Sequence, residues 1–145
     1  EIADICVLSS KKLNSIKCPI HLNSSAIDEF LIIFLVAAKA KGISYFRDIA
    51  ELNTKESPRL KLASKILKMM GVRNILTKDS IKIFGNPKLI IDRKIVIKNF
   101  YKDHRIFMTS VIAALIFGGK WIIHNKESIN TSFPSFLKII KNLNT

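Results

Sequence analysis

Two equal spacings constrain what this chain can fold into. Asp28 and Asp103 stand 75 positions apart, Ser57 and Ser132 are separated by the same 75, and all four fall at the openings of helix-like stretches. A repeat of that length points to two diverged copies of one supersecondary unit. The first copy begins with a strand-like run, "ADICVLSS". It continues into "NSSAIDEFLIIFLVAAKAKG", where Ile27, Leu31, Phe34, Leu35 and Ala38 fall on one helical stripe. Ser25 and Asp28 have the spacing of a capping box, and Gly42 lies just past the expected end.

"ISYF" then reads as a strand. A second helix carries Ala63, Ile66, Leu67 and Met70 on one face, with Ser57 expected as N-cap, Pro58 at the first helical position and Gly71 as the stop. "NILT" and "IKIF" form a hairpin, which completes a βαβαββ-like unit. The order restarts with "KIVI", a helix capped by Asp103 with Val111, Ala114 and Leu115 on its apolar side, the strand "KWII", and a helix capped at Ser132 carrying Phe133, Phe136, Leu137 and Ile140. Helices alternating with strands imply an α/β layered fold with a mixed sheet. The units are expected at about 1–88 and 89–145.

With 145 residues, 48% of them hydrophobic, the chain can bury a core, and one ordered domain is expected rather than a disordered chain. The longest apolar run, Phe30 to Ala38, is far short of the roughly 20 residues a membrane span needs. Cys6 and Cys18 form no CxxC pair and follow no secretory segment, so a reducing cytoplasm is the expected compartment. The chain opens on Glu1 rather than Met and enters a strand-like run almost at once, which suggests a piece of something longer. A net charge of +13 suits nucleic acid, an anionic membrane or small phosphorylated and carboxylated ligands, and equally a plainly solvated surface.

The candidate chemistry gathers at three helix starts: Ser25 to Glu29, Lys55 to Arg59, and Asp103-His104-Arg105. A helix N-terminus presents free N–H groups and positive dipole, so a cation there is disfavoured by about 0.3–1 kcal/mol. Arg59 and Arg105 both occupy that position. An anion gripped by the two guanidinium groups would remove the penalty. His104, between Asp103 and Arg105, is a candidate proton or hydrogen-bond partner.

"AIDEF", "ELNTKESPRL", "GVRNILTKDSIKIFG", "DHRIFM" and "INTSFPSF" occur in the order and spacing of the carboxy-terminal part of the 5-enolpyruvylshikimate-3-phosphate synthase family. The resemblance spans essentially the whole chain. It implies an inside-out α/β barrel with two domains of three βαβαββ units each, of which two units are present, and an active site between the domains. It also implies transfer of the enolpyruvyl group of phosphoenolpyruvate to the 5-hydroxyl of shikimate 3-phosphate, through a tetrahedral adduct that expels phosphate.

By position, the resemblance makes Asp28 a shikimate ligand and candidate base, and Lys55 a ligand of the shikimate phosphate. Glu56 becomes a carboxylate that handles protons at the transferred group. Arg59 and Arg105 hold phosphoenolpyruvate with His104 beside them. Thr131 stands where many members carry a phosphoenolpyruvate-contacting lysine, and together with "IDEF" and "TSFP" it resembles the glyphosate-tolerant branch. Other departures are Pro58 for an aspartate, Asn53 for an arginine, and Phe107 for a small residue, which either crowds the cleft or repacks it.

The implied partners are the two substrates and an amino-terminal domain supplied by the rest of the polypeptide. No cofactor, metal, nucleic acid or membrane is implied. The full-length protein is expected to be a monomer, and the fragment to be inactive alone. Two alternatives compete: a non-catalytic descendant that binds phosphorylated ligands, and a basic nucleic-acid-binding module. The second lacks an aromatic platform and a striped arrangement of lysines.

Overall fold

In a computed structural model that describes residues 4, 6, 8–10 and 12–142, helices and strands alternate as an α/β fold. The elements are α1 (Asn23–Ala26), α2 (Phe30–Lys39), β1 (Gly42–Phe46), α3 (Arg59–Met69), β2 (Asn74–Leu76), β3 (Ile81–Gly85), β4 (Lys94–Ile97), α4 (His104–Phe117), β5 (Lys120–Ile123) and α5 (Phe136–Asn142), with short 3-10 turns at Ile20–Leu22, Ala50–Asn53 and Lys126–Ile129. No helix among the described residues is long and apolar enough to cross a membrane.

β3 is the central strand of a three-stranded sheet, antiparallel to β1 through Phe46↔Ile81 and to β2 through Leu76↔Ile81. β4 and β5 pair in parallel across α4. The same strand-helix-strand handling occurs earlier: residues 13–18 run parallel to β1 across α2, through bonds such as Cys18 N–H to Tyr45 O at 2.9 Å and Tyr45 N–H to Ile16 O at 2.8 Å. The sheet around β1 is therefore mixed. Of the strand expected over 3–10, residues 3, 5 and 7 lie outside the described residues and the others carry no strand. The pairing falls instead on "LNSIKC", whose weak alternation does not mark it as a strand.

Phe30, Phe34 and Phe46 form the centre of the core, with ring centroids 5.0 to 5.9 Å apart in stacked and edge-on contacts. Leu52 from the Ala50–Asn53 turn, Leu60 and Leu67 from α3, and Ile81 and Ile83 from the sheet complete it. β3 ends against the C-terminal turn of α2, where a side chain at Gly85 would collide with the carbonyl oxygens of Ala37 and Ala40. Only glycine fits there.

Five local expectations change in the fold. The single helix expected after Asn23 is two, because at Ile27-Asp28-Glu29 the Asp28 carbonyl accepts from the Arg105 guanidinium at 2.9 Å while the Ile32 N–H turns to Glu29 O. No capping box forms, since Ser25 Oγ donates to Leu22 O and the Asp28 carboxylate faces two arginines.

Ser57 is not the N-cap of α3, because its hydroxyl donates to Asp103. Pro58 takes the cap position at φ −70° and ψ 71°. That is the geometry of an inverse γ-turn, closed by Arg59 N–H to Ser57 O at 2.7 Å. The side chain of Asn53 accepts from Lys61 N–H at 3.3 Å and supplies the missing cap from outside the helix.

The buried face of α4 runs through Ile106, Ser110, Ala113 and Phe117. Val111 and Ala114 are half-buried and Leu115 is exposed. That helix is apolar almost all round, so periodicity alone could not select its inner face. α5 begins at Phe136 rather than after Ser132, because Pro134 disfavours helical geometry at Phe133.

Candidate active site

Arg59 and Asp103 form the centre of the candidate site. Arg59 opens α3 yet is only 3% exposed, and Asp103, the N-cap of α4, is fully buried. Arg59 Nε donates to Asp103 Oδ2 at 2.8 Å, and its Nη1 reaches Asp28 Oδ1 at 3.0 Å. The second Asp103 oxygen caps α4 by accepting from Arg105 N–H at 2.9 Å and Ile106 N–H at 3.4 Å. One carboxylate thus joins two helix starts. Burial by itself pushes its carboxyl up, but hydrogen bonds from Arg59 and Ser57, the Arg59 charge and the Arg105 N–H outweigh burial and hold it below the ordinary value of 3.8.

Around this buried pair stands a more open ring. His104 Nδ1 lies 2.9 Å from Glu56 Oε2. Arg105 contacts Asp28 Oδ2 and Glu29 Oε1, each at 3.4 Å. Lys55 pairs with Glu51 at 2.8 Å, one turn back. Asp28, Glu56, Arg59, His104 and Arg105 are therefore gathered in one network, with Lys55 beside it. Thr131 is exposed in the turn before α5 and makes no side-chain hydrogen bond to the network. Two residues on, Phe133 lines an open groove of about 370 Å³ with Asp28, Glu29, Arg105 and Met108. Phe107 points into the core, so it repacks the interior and does not crowd the groove.

The penalty for Arg59 and Arg105 at helix starts is already offset by carboxylates, with no bound anion needed. The network holds five carboxylates, Asp28, Glu29, Glu51, Glu56 and Asp103, against three cations, Lys55, Arg59 and Arg105. On a chain of +13 it is an island with a two-charge negative surplus. An incoming polyanion must take the arginines from their acidic partners or bring further cations from elsewhere. Among the described residues the one group of potential metal ligands is Glu56, Asp103 and His104, with ligand atoms within 4.8 Å of one another. Asp103 is saturated by donors and Arg59 places a positive charge against it, so this cluster does not fit a cation.

The family model for EPSP synthase (3-phosphoshikimate 1-carboxyvinyltransferase) matches residues 3–140. The chain belongs to the EPSP synthase family. It is 35% identical over 142 residues to the 3-phosphoshikimate 1-carboxyvinyltransferase of Ruthia magnifica, and 36% identical over 144 residues to that of Zymomonas mobilis. Those alignments cover 95% and 98% of this chain but only 31% and 32% of the relatives. The solved EPSP synthase of Acinetobacter baumannii superposes with a TM-score of 0.80 at 34% identity, over 90% of this chain and 30% of that one. The chain thus spans about a third of the length of its relatives. Asp103 and Ser57 lie within the stretches singled out in the sequence, but the only role the sequence assigns to each is that of a helix cap. The signal that could have raised them is their position beside His104 and Glu56.

Proposed function

We propose that this chain is the carboxy-terminal part of an enolpyruvyl transferase that moves the enolpyruvyl group of phosphoenolpyruvate to the 5-hydroxyl of shikimate 3-phosphate and releases phosphate. The observation that supports it most is the convergence of Asp28, Glu56, Arg59, His104 and Arg105 from three separate helix starts. A buried guanidinium group, a second that is partly exposed, and a carboxylate-paired imidazole beside them suit a reaction between anions that moves a proton twice.

In this reading Asp28, whose carboxylate is partly exposed, orients the attacking hydroxyl and takes its proton. The hydroxyl oxygen bonds C2 of phosphoenolpyruvate while C3 gains a proton. The C2–O bond to phosphate then breaks, and C3 returns a proton as the double bond re-forms. Glu56 and His104, 2.9 Å apart, are the pair for those two transfers. Arg105 and Arg59 hold phosphoenolpyruvate, Lys55 holds the shikimate phosphate, and Thr131 stands at the rim. Donors held in place before reaction stabilise the charge that develops in the adduct.

In this reading the cations that balance the negative surplus of the network come from the rest of the polypeptide, so an amino-terminal domain is the partner and this chain alone is inactive. The repeat boundaries near residue 88, a monomeric state and a cytoplasmic location belong to the same proposal. The parallel pairings across α2 and α4 support the repeat.

The test is phosphate release by the full-length protein given both substrates. Release that depends on both substrates is expected. Binding of shikimate 3-phosphate without release would leave a binding descendant, and steeply salt-dependent oligonucleotide binding insensitive to shikimate 3-phosphate would favour a nucleic-acid module.

A further inference from the structure

The geometry points to Ser57 and Asp103 as positioning residues, a buried rung that sets the register of the Glu56–His104 pair without touching substrate. This rests on the enolpyruvyl-transfer reading for its kinetic consequences, but its structural content stands alone.

Glu56-Ser57 and Asp103-His104 are two dipeptides placed side by side and joined by two contacts. The inner contact is Ser57 Oγ to Asp103 Oδ2 at 2.8 Å, and the outer is His104 Nδ1 to Glu56 Oε2 at 2.9 Å. The two differ sharply in burial. Ser57 and Asp103 are 3% and 0% exposed, whereas the Glu56 side chain is half exposed and His104 partly so. An exposed carboxylate–imidazole contact is weakly determined on its own, because water and side-chain rotation compete with it. The buried rung behind it does not share that freedom, since a hydroxyl and a carboxylate without partners in the interior are costly.

Asp103 cannot itself serve as acid, base or ligand in this arrangement. Oδ2 accepts from Ser57 and from Arg59 Nε, while Oδ1 accepts from the Arg105 and Ile106 N–H groups and, at 3.4 Å, from Arg59 Nη2. Its effect passes through the backbone to the next two residues, His104 and Arg105. The chain arriving at Asp103 is also held in an uncommon shape: Tyr101 and Lys102 both have left-handed φ, 58° and 55°. Such residues persist where the surroundings over-determine them. Here the buried ring of Phe100 on one side and the Asp103 rung on the other do so.

Ser57→Ala and Ser57→Thr in the full-length protein test the rung. Ala removes the hydroxyl without adding bulk, and Thr keeps it. For Ser57→Ala the expectation is a kcat about tenfold lower with KM for shikimate 3-phosphate within about twofold, as suits loss of a transition-state alignment. Ser57→Thr should recover most of that kcat. In a crystal structure of Ser57→Ala, the Nδ1–Oε2 separation should open beyond hydrogen-bond reach, about 3.2 Å. Unchanged kcat with only a lower unfolding temperature would overturn the inference, and so would an intact Glu56–His104 contact in that crystal. If the wild-type protein releases no phosphate, the enolpyruvyl-transfer reading falls while the crystal measurement still decides the rung.

Discussion

Replacing Asp103 by Asn separates charge from shape at the hub of the site. Asparagine is as good an N-cap as aspartate, so the Oδ1 contacts to Arg105 N–H and Ile106 N–H should survive. What changes is Oδ2. An amide nitrogen there faces Arg59 Nε, donor against donor, across a contact that is now 2.8 Å. Removing one member of a buried pair typically costs about 3–5 kcal/mol. Arg59 keeps Asp28 at 3.0 Å and Glu56 at 3.8 Å, so the lower end, about 3 kcal/mol, is expected.

The assay is urea unfolding of the wild-type protein and the Asp103→Asn variant, read as a shift of midpoint at constant slope. The pH dependence has a definite sign. Asp103 is held below its ordinary 3.8, so its stabilising contribution is complete above that pH and is lost as pH falls through the folded-state value. The gap between wild type and variant should therefore narrow only in acid. A double-mutant cycle with Arg59→Met should give a coupling well above 0.5 kcal/mol, roughly the limit for independent sites. A loss under about 1 kcal/mol, or additive single effects, would refute the view that this pair joins the two helix starts.

Three further outcomes follow from single contacts. Gly85→Ala should destabilise by about 3 kcal/mol or more, because the new methyl meets backbone carbonyls of Ala37 and Ala40 that cannot rotate away, and thermal unfolding checks it. Lys55→Met removes a surface pair with Glu51 and should change stability by under about 1 kcal/mol, yet raise KM for shikimate 3-phosphate in the full-length protein, so stability and steady-state assays must disagree. Pro58→Asp should match or improve turnover with stability within about 1 kcal/mol, because Asp is a favoured residue at the cap position Pro58 occupies, whereas a large loss of kcat would show that this lineage depends on the proline γ-turn.

Much of the layout was legible from the chain alone because it depends on short-range patterning. The alternation of helix-period and strand-like runs placed β1 through β5 and the body of α2, α3 and α4. Asp103 was readable as a cap, since capping is decided within three residues. The grouping of Asp28, Lys55, Glu56, Arg59, His104 and Arg105 as candidates came from local composition at helix starts. Identity with the family rested on five collinear motifs, which are themselves sequence.

What only the tertiary structure decided is where polar side chains find partners far away along the chain. Local rules assigned Ser57 to its own helix, and the fold turned it to Asp103, 46 positions away. They assigned Asp28 to a capping box, and the fold broke the helix there so that Arg105, 77 positions on, could take its carbonyl. They treated Arg59 as a cation awaiting an anion, and the fold buried it among carboxylates. Each is one choice among several equally good hydrogen bonds, and propensity cannot rank them. Packing α3 against α4 removes water from the helix starts, and in that dry space the donors and acceptors that lie closest must satisfy one another.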